Sequence, residues 1–584
     1  MATDLPSRPA EVIVDADSHA AESYAAAEFV DHYARSTGVI LPTRNAPVHD
    51  GGRIFIGASA VDNSDAPSVA REDLGEEDLR IRAANDDVAI VGGSPRGTLY
   101  GVYDFLEHRL GVRFLAPDHT YVPALDDTEL LAPMERTYRP PLEFRYSFYG
   151  IVQHDAEFAA RCRINTVPEA DRLGGRTSMR LINHTFTRWV RTDEFGADHP
   201  EYFALEDGVR RNDVERDQYE TQPCMTNPNV RSLIIDGVRA DLDAHPEWTN
   251  ISVSQNDNRH YCRCPDCQAI IEREESPMGP LLELVNEVAD VVAEEYPGVM
   301  VGTLAYQYSR APPETMLPRE NVQIQLCSIE ACLFHPIDDR SCELNTDFCT
   351  DLAGWKELTD HIYIWNYNTN FRNYLLPCPN LRVIGPNVQY FVEQHAKGLF
   401  MQAAGGANVA EFDTLRNYLI SNLLWDPTRD ADELRTEFLE LHFGPAGAPI
   451  DTWLRTLHDH VEAGGIHNNC FGDAIDFGLT DELVATGREC FEEALALAPD
   501  EHVFRRVERA SLCIHRAMME PAMLAMRERG PWNESLAEEM RPIVRRCYEL
   551  ADRYDVNIPV EHTDLETEKQ RMGELFADDP TLFA

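Results

Sequence analysis

Apolar residues change their spacing twice along this chain, and the changes divide it into three stretches. In residues 1–135 short apolar runs alternate with helix-like spacing. Val12-Ile-Val reads as a short strand, and Ala20 to Thr37 as an amphipathic helix that stops at Gly38. Arg53-Ile-Phe-Ile-Gly and Val88-Ala-Ile-Val-Gly-Gly read as apolar strands with glycine stops. The second runs into a turn at Ser94 and a helix that closes at Gly111. The Gly92-Gly93 turn lacks both the phosphate-loop lysine and the dinucleotide glycine spacing, so it is expected to be structural.

Tyr138-Arg-Pro-Pro-Leu reads as a linker. Over residues 140–430 short strands alternate with helices. The strand candidates are Glu143–Tyr149, Met179–Phe186, Ile251–Gln255, Val299–Tyr306, Val322–Ile329, Ile362–Trp365, Arg382–Gly385 and Gly398–Gln402. Eight strands with interleaved helices suit a (β/α)8 TIM-like barrel, with a doubly wound sheet as the other α/β arrangement. Residues 431–584 read as an α-helical region, with helices over Ala431–His442, Pro449–Ala463, Thr480–Leu497, Glu501–Arg527 and Asn533–Tyr554.

Charge changes this picture more than length does. The 584 residues carry a formal net charge of −48, spread along the whole chain. There are three lysines, Lys356, Lys397 and Lys569, so arginine supplies nearly all positive charge. Normal aromatic content argues against a disordered acidic chain. The composition predicts an acidic, hydrated surface that stays soluble in high salt, as in a salt-adapted cell. Nucleic acid is excluded as a partner, because phosphate binding needs basic patches. No apolar run is long enough to span a membrane. The N-terminus, Met1-Ala-Thr-Asp-Leu-Pro-Ser-Arg-Pro, has no apolar leader core and no twin arginine. The 14 cysteines are mostly scattered through strands and helices, a pattern of reduced thiols, and the expected location is the cytoplasm.

The candidate chemistry lies at the predicted strand ends, where an α/β barrel carries its site. Asn250 to Gln255 leads into Asn256-Asp257-Asn258 and then Cys262-x-Cys264-x-x-Cys267. Other strand ends carry Asn183-His184-Thr185, Tyr306-Gln307-Tyr308, Glu330 and Trp365-Asn366-Tyr367-Asn368. Amides, aromatics and isolated carboxylates on one face suit a sugar, which needs hydrogen bonds to hydroxyls and a platform for its C–H face. Asp257 and Glu330 form the expected acid/base pair; Glu330, after a buried strand, is expected to be a proton donor with a raised pKa. Asn256, Asn258, His184, Tyr306, Tyr308, Trp365 and Asn366 are expected to hold the sugar, and Glu411 is the reserve carboxylate. His184 and Trp365 also fit purely structural roles. With alternation along a strand, two of Tyr306, Gln307 and Tyr308 should share a face. Cys262, Cys264 and Cys267 have chelating spacing, with Cys224 as a fourth ligand for a structural zinc; reduced thiols packing a loop is the plainer alternative. No cofactor is required for the expected chemistry.

Three stretches carry a resemblance: Arg96-Gly-Thr-Leu-Tyr-Gly through Pro117, His199-Pro-Glu-Tyr-Phe-Ala-Leu-Glu-Asp-Gly208, and Ser254-Gln-Asn-Asp-Asn with the cysteines that follow. Together they span about residues 10–430, and they resemble the bacterial and archaeal family called domain of unknown function 4838. That family is related to family 67 α-glucuronidases and to hexosaminidase-like barrels, and some relatives look like family 163 endo-β-N-acetylglucosaminidases. The resemblance implies a hexosaminidase-type N-terminal α/β domain over 1–135, a catalytic barrel over 140–430 and a helical region over 431–584. Hexosaminidases that use the substrate acetamido group place an Asp-Glu or Asp-Asp pair after the fourth strand, where this chain has Asn256-Asp257. The expected function is a glycoside hydrolase acting on an N-acetylhexosaminide or a uronic-acid-containing glycan. A glycan-binding protein on a decayed barrel and a metal-dependent lyase or epimerase are the alternatives.

Overall fold

The computed structural model describes residues 8–125, 130–212, 221–577, 579 and 582–583. Met1 to Ser7, most of the stretch read for a leader, lie outside them. The first sheet is built from β1 (Glu11–Ile13), β2 (Thr43–Arg44), β3 (Arg53–Ile56), β4 (Leu79–Ala84), β5 (Asp87–Gly92) and, after a hairpin of β6 (Arg113–Ala116) and β7 (His119–Tyr121), β8 (Met134–Tyr138). Its order is β2-β1-β3-β5-β4-β8. β1, β2, β3 and β5 pair in parallel, and β4 is antiparallel to both neighbours. Helix Ala20–Thr37 ends at Gly38 in the left-handed conformation, as its sequence predicts. At the end of β5 a Cβ on Gly92 would lie 2.2 Å from the Gly97 carbonyl carbon. The Gly-Gly turn is thus a close strand-to-helix approach, in keeping with its structural reading.

A second sheet follows from β9 (Phe144–Phe148). After a small hairpin of β10 (Leu205–Glu206) and β11 (Val209–Arg210) come β12 (Asn250–Ser252), β13 (Met300–Ala305), β14 (Val322–Cys327), β15 (Ile362–Tyr367) and β16 (Gly398–Gln402). All six of its strands are parallel, in the order β12-β13-β14-β15-β16-β9. The sheet curls into a half-barrel. Register aligns Cys327 with Trp365, Trp365 with Phe400 and Phe400 with Tyr146, so these side chains share the inner face. Two apolar clusters fill the curl: Phe144, Tyr363 and Phe400 in one, Ile182, Leu304, Tyr306 and Cys327 in the other.

Two of the eight expected strands are not strands. Met179 to Phe186 runs beside β12 without joining its ladder, because side chains take up its backbone groups. The Asn250 amide bonds both the N–H and the carbonyl of Arg180, at 2.7 and 3.0 Å. Ser252 Oγ does the same for Asn183, at 3.1 and 2.6 Å. Such side-chain bonds compete with ladder formation. Arg382–Gly385 lies in helix Leu381–Glu393, whose buried Leu381, Ile384, Val388 and Phe391 keep helix spacing. The described residues therefore form a curled six-stranded sheet rather than a closed eight-stranded barrel.

Beyond residue 430 the chain is helical, from Ala431–Phe443 to Leu565–Leu575. The expected helix over Glu501–Arg527 is three short ones, Glu501–Ala510, Leu512–Met518 and Glu520–Met526. One continuous apolar cluster runs from Val12 through both sheets to Ala517, so the three stretches share a core.

A buried carboxylate joins the two sheets. Glu77 accepts from Arg96 Nε at 2.8 Å, Asn165 Nδ2 at 2.9 Å and Arg145 Nη2 at 2.5 Å. Arg145 stands on β9 with no exposed surface, bonds the carbonyls of Leu142 and Arg163, and lies 5.3 Å from the centre of the Trp425 ring.

Among the described residues no helix is long and apolar enough to cross a membrane. A net charge of −48 repels itself, and salt screens that repulsion. The melting temperature should therefore rise as KCl is raised from millimolar to molar concentration. A fall over that range would mean that exposed ion pairs dominate instead.

Candidate active site

The C-terminal ends of the curled sheet gather the groups that matter. β12 continues through the fully buried Ser254 and Gln255 to Asp257, whose side chain is 54 % exposed. Its Oδ1 accepts from Tyr306 Oη at 2.9 Å, and Gln307 Nε2 donates to the same hydroxyl at 2.8 Å. His184 Nε2 lies 3.8 Å from Asp257 Oδ1. The opposite ring nitrogen, Nδ1, is 2.6 Å from the Gln255 carbonyl, which places the donated proton there and fixes the ring. Burial, with the charge of Asp257 behind it, pushes the Tyr306 hydroxyl far above the ordinary phenol range. Tyr306 thus stays a neutral donor to the carboxylate.

Glu330 sits three residues beyond the end of β14 on a turn, not in a buried pocket. Its side chain is 30 % exposed and pairs with Arg310 at 3.1 Å and Arg259 at 4.0 Å. The burial expected of a proton donor is absent there, because the chain turns outward after Cys327. Asp257 and Glu330 nevertheless face one region. After burial itself, their two charges are the next causes that push the Cys327 thiol up. Trp365 is half-buried beside them, edge-on to Phe400 at 4.6 Å, with its indole N–H donating to Gln402 Oε1.

A third carboxylate arrives from the far end of the chain. Residues 557–563 reach over the sheet ends: Tyr374 N bonds the Pro559 carbonyl at 2.9 Å and Glu561 N the Phe371 carbonyl at 3.2 Å. Burial holds the Glu561 carboxyl above the usual carboxylate range; His562 opposes this and the charge of Asp257 adds to it. Glu330 and Glu561 both contribute to raising the buried Cys470 thiol. Nothing local in the sequence marks Glu561; it joins the group only because a C-terminal loop folds back.

Other expected sugar-binding residues are used elsewhere. Asn256 is 1 % exposed; it accepts from Thr187 N at 3.1 Å and donates to the Thr221 carbonyl at 2.8 Å. Asn258 clamps the same loop through the Thr221 carbonyl, Gln222 Nε2 and His260 N. Asn366 points away from the curl, as alternation with Trp365 requires, and accepts from Ser328 Oγ at 3.0 Å. Tyr308 departs because β13 ends at Ala305 and a 3-10 turn over Gln307–Ser309 follows. That turn sends Tyr306 and Gln307 toward Asp257 and stacks Tyr308 on Tyr261, at 5.0 Å. Glu411 is 5 % exposed and paired with Arg416 at 2.5 Å, in the core beside Cys378 and Asn380. Burial raises its carboxyl and Arg416 opposes the shift.

The cysteines after Asp257 converge. Sulfurs of Cys224, Cys262, Cys264 and Cys267 all lie within 4.8 Å of one another, and all four residues are buried. The fourth sulfur comes from Cys224, as the sequence suggests. His260 is not among them; it turns to Glu206 at 3.0 Å.

The fold, a curled parallel sheet behind an N-terminal α/β sheet and before a helical region, is shared with solved structures of low sequence identity. Over 97 % of this chain and 79 % of the other, it superposes on a family GH115 4-O-methyl-α-glucuronidase with specificity for decorated arabinogalactans, at a TM-score of 0.59 and 8 % identity. It is also similar to a GH20 β-N-acetylhexosaminidase from Streptomyces coelicolor A3(2), with a TM-score of 0.42, 14 % identity and coverage of 76 % and 93 %. No curated protein matches the sequence. Residues 114–454 match the family described as Domain of unknown function (DUF4838), and the chain belongs to that family.

Removing one partner of a buried pair strands the other charge. Glu411→Ala should therefore cost about 3–5 kcal/mol in denaturant unfolding of the full chain. A loss within the range of a surface substitution would show that Arg416 finds another partner.

Proposed function

We propose that this protein is a glycoside hydrolase whose site is the open end of the curled sheet. What supports the reading is that Asp257, Glu330 and Glu561 stand on three segments that meet at the sheet ends, with Tyr306 bonded to Asp257 and Arg259 reaching Glu330. Glycoside hydrolysis needs a proton donor at the leaving oxygen and a second carboxylate at the anomeric carbon or its attacking water. Glu561 suits the first role, because its carboxyl holds its proton above the usual range. Asp257, held by the Tyr306 hydroxyl, suits the second. Glu330 then aligns Arg310 and Arg259 at the sugar-binding edge. The Arg259 side chain is 73 % exposed beside Glu330, so its guanidinium is available to a ligand carboxylate. That supports a uronic-acid-containing glycan ahead of an N-acetylhexosaminide.

The cysteine cluster has the donor set of a closed structural zinc site. Bound there, zinc would hold the loop that starts at Asp257 and would take no part in bond cleavage.

Turnover of aryl uronides and aryl N-acetylhexosaminides tests the reading. Asp257→Asn and Glu561→Gln should each lower kcat/KM by about 10²–10⁴-fold while substrate still binds. A donor with a raised pKa is protonated below it, so the rate should fall as pH rises through that pKa, and Glu561→Gln should remove this alkaline limb. Saturable glycan binding with no turnover by the wild type would favour the binding-protein reading. Unchanged rates in both variants would discard the assignment.

A further inference from the structure

A second group of soft donors lies on the loop that carries Glu330. The chain leaves β14 through Ser328 and Glu330, reaches Cys332 and His335, and enters helix Glu343–Leu358 at its N-cap, Cys342. His467 comes from the loop after helix Gly447–Gly464. One donor atom from each of Cys332, His335, Cys342 and His467 lies within 4.8 Å of the other three. Cys332 Sγ is 3.3 Å from His335 Nδ1, and Cys342 Sγ is 3.2 Å from His467 Nδ1. The two imidazoles stack at 4.2 Å with 16° between their planes.

We propose that Cys332, His335, Cys342 and His467 bind a zinc ion in a structural Cys2His2 site. Tetrahedral zinc with bonds of about 2.3 Å to sulfur and about 2.0–2.1 Å to nitrogen needs sulfur–nitrogen edges of roughly 3.5 Å. The observed 3.2 and 3.3 Å edges need only a small expansion. Two thiols and two imidazoles with donor atoms within 4.8 Å of one another, and no carboxylate among them, form a soft donor set that selects zinc over magnesium or calcium; the near-parallel rings must turn for both nitrogen lone pairs to meet at the ion. Each sulfur also has an imidazole hydrogen-bond partner, so metal-free thiol–imidazole pairs are the competing state. The two thiols are buried, while His467 is exposed and gives the ion a way in.

Such an ion would tie the Glu330 loop to the C-terminal helical region. Leu333 N already bonds the Asn468 carbonyl across that boundary at 2.8 Å, and Phe371 N bonds the Cys470 carbonyl at 2.9 Å. A zinc cross-link would do in a reducing compartment what a disulfide does in an oxidising one. The site does not depend on the hydrolase reading, since occupancy is measured without turnover.

The test is the zinc content of the untagged full chain after zinc loading and removal of excess metal. The expected result is that His467→Ala loses one equivalent relative to wild type, while Cys264→Ser loses a different one. His467→Cys should retain its metal, and its cobalt form should show stronger thiolate-to-cobalt absorption than wild type because a thiolate is added. His467 is exposed, so its substitution should leave the folded circular dichroism spectrum intact; Cys342→Ser then repeats the test from the buried side. Equal zinc in wild type, His467→Ala and Cys342→Ser would overturn the proposal, whatever the Cys224 cluster binds.

Discussion

Glu77 holds two guanidiniums and an amide in a space closed to water, and the relation between the two sheets depends on it. A carboxylate left there alone would be costly, and so would either arginine without it. The pairing constrains three elements at once: the loop before β4, the helix that begins at Pro95, and β9. Because β9 pairs with β16 at one side of the curled sheet, the first sheet indirectly sets where the curl begins. Arg145 adds shape to charge, since its planar group also lies over Trp425 and bonds two carbonyls.

The site depends on that frame in an uneven way. Asp257 is positioned by a short path: a buried run through Ser254 and Gln255, then the Asn256 and Asn258 clamps on Thr221. Glu561 is positioned by a long one, through backbone bonds from Phe371 and Tyr374 to a segment near the end of the chain. The sheet thus supplies one carboxylate directly and receives another from the helical region that covers it.

Much of the frame was readable because its signals are local. Val322–Cys327 alternates apolar residues with Gln323 and Gln325, and the helix over Ala20–Thr37 has both its spacing and its Gly38 stop. Arg382–Gly385 misled because Val383 and Ile384 look like strand residues over four positions; only the longer window shows helix spacing. The place of Asp257 beyond a strand end and the grouping of Cys262, Cys264 and Cys267 were legible, the first from the apolar run before it and the second from close spacing. Asn256 and Asn366 were not, because an amide at a strand end looks the same whether it faces a ligand or clamps its own loop. Glu561 and His467 carry no local mark, since each acquires its neighbours only when distant loops meet.

The parallel pairing of β9 with β16 also sets an order of events in the cell. β9 is made early, with Phe144, Tyr146 and Phe148 on the face that will turn inward, yet among the described residues its ladder partner begins at Gly398. During synthesis it waits as an unpaired, aromatic edge until most of the chain has emerged. Long-range parallel pairing of this kind is slow and exposes nascent strands to wrong partners. Arg145 can dock on Glu77 before then, so the first sheet is placed to hold this strand while its ladder partner is still unmade, and the yield of folded protein should depend on that early anchor.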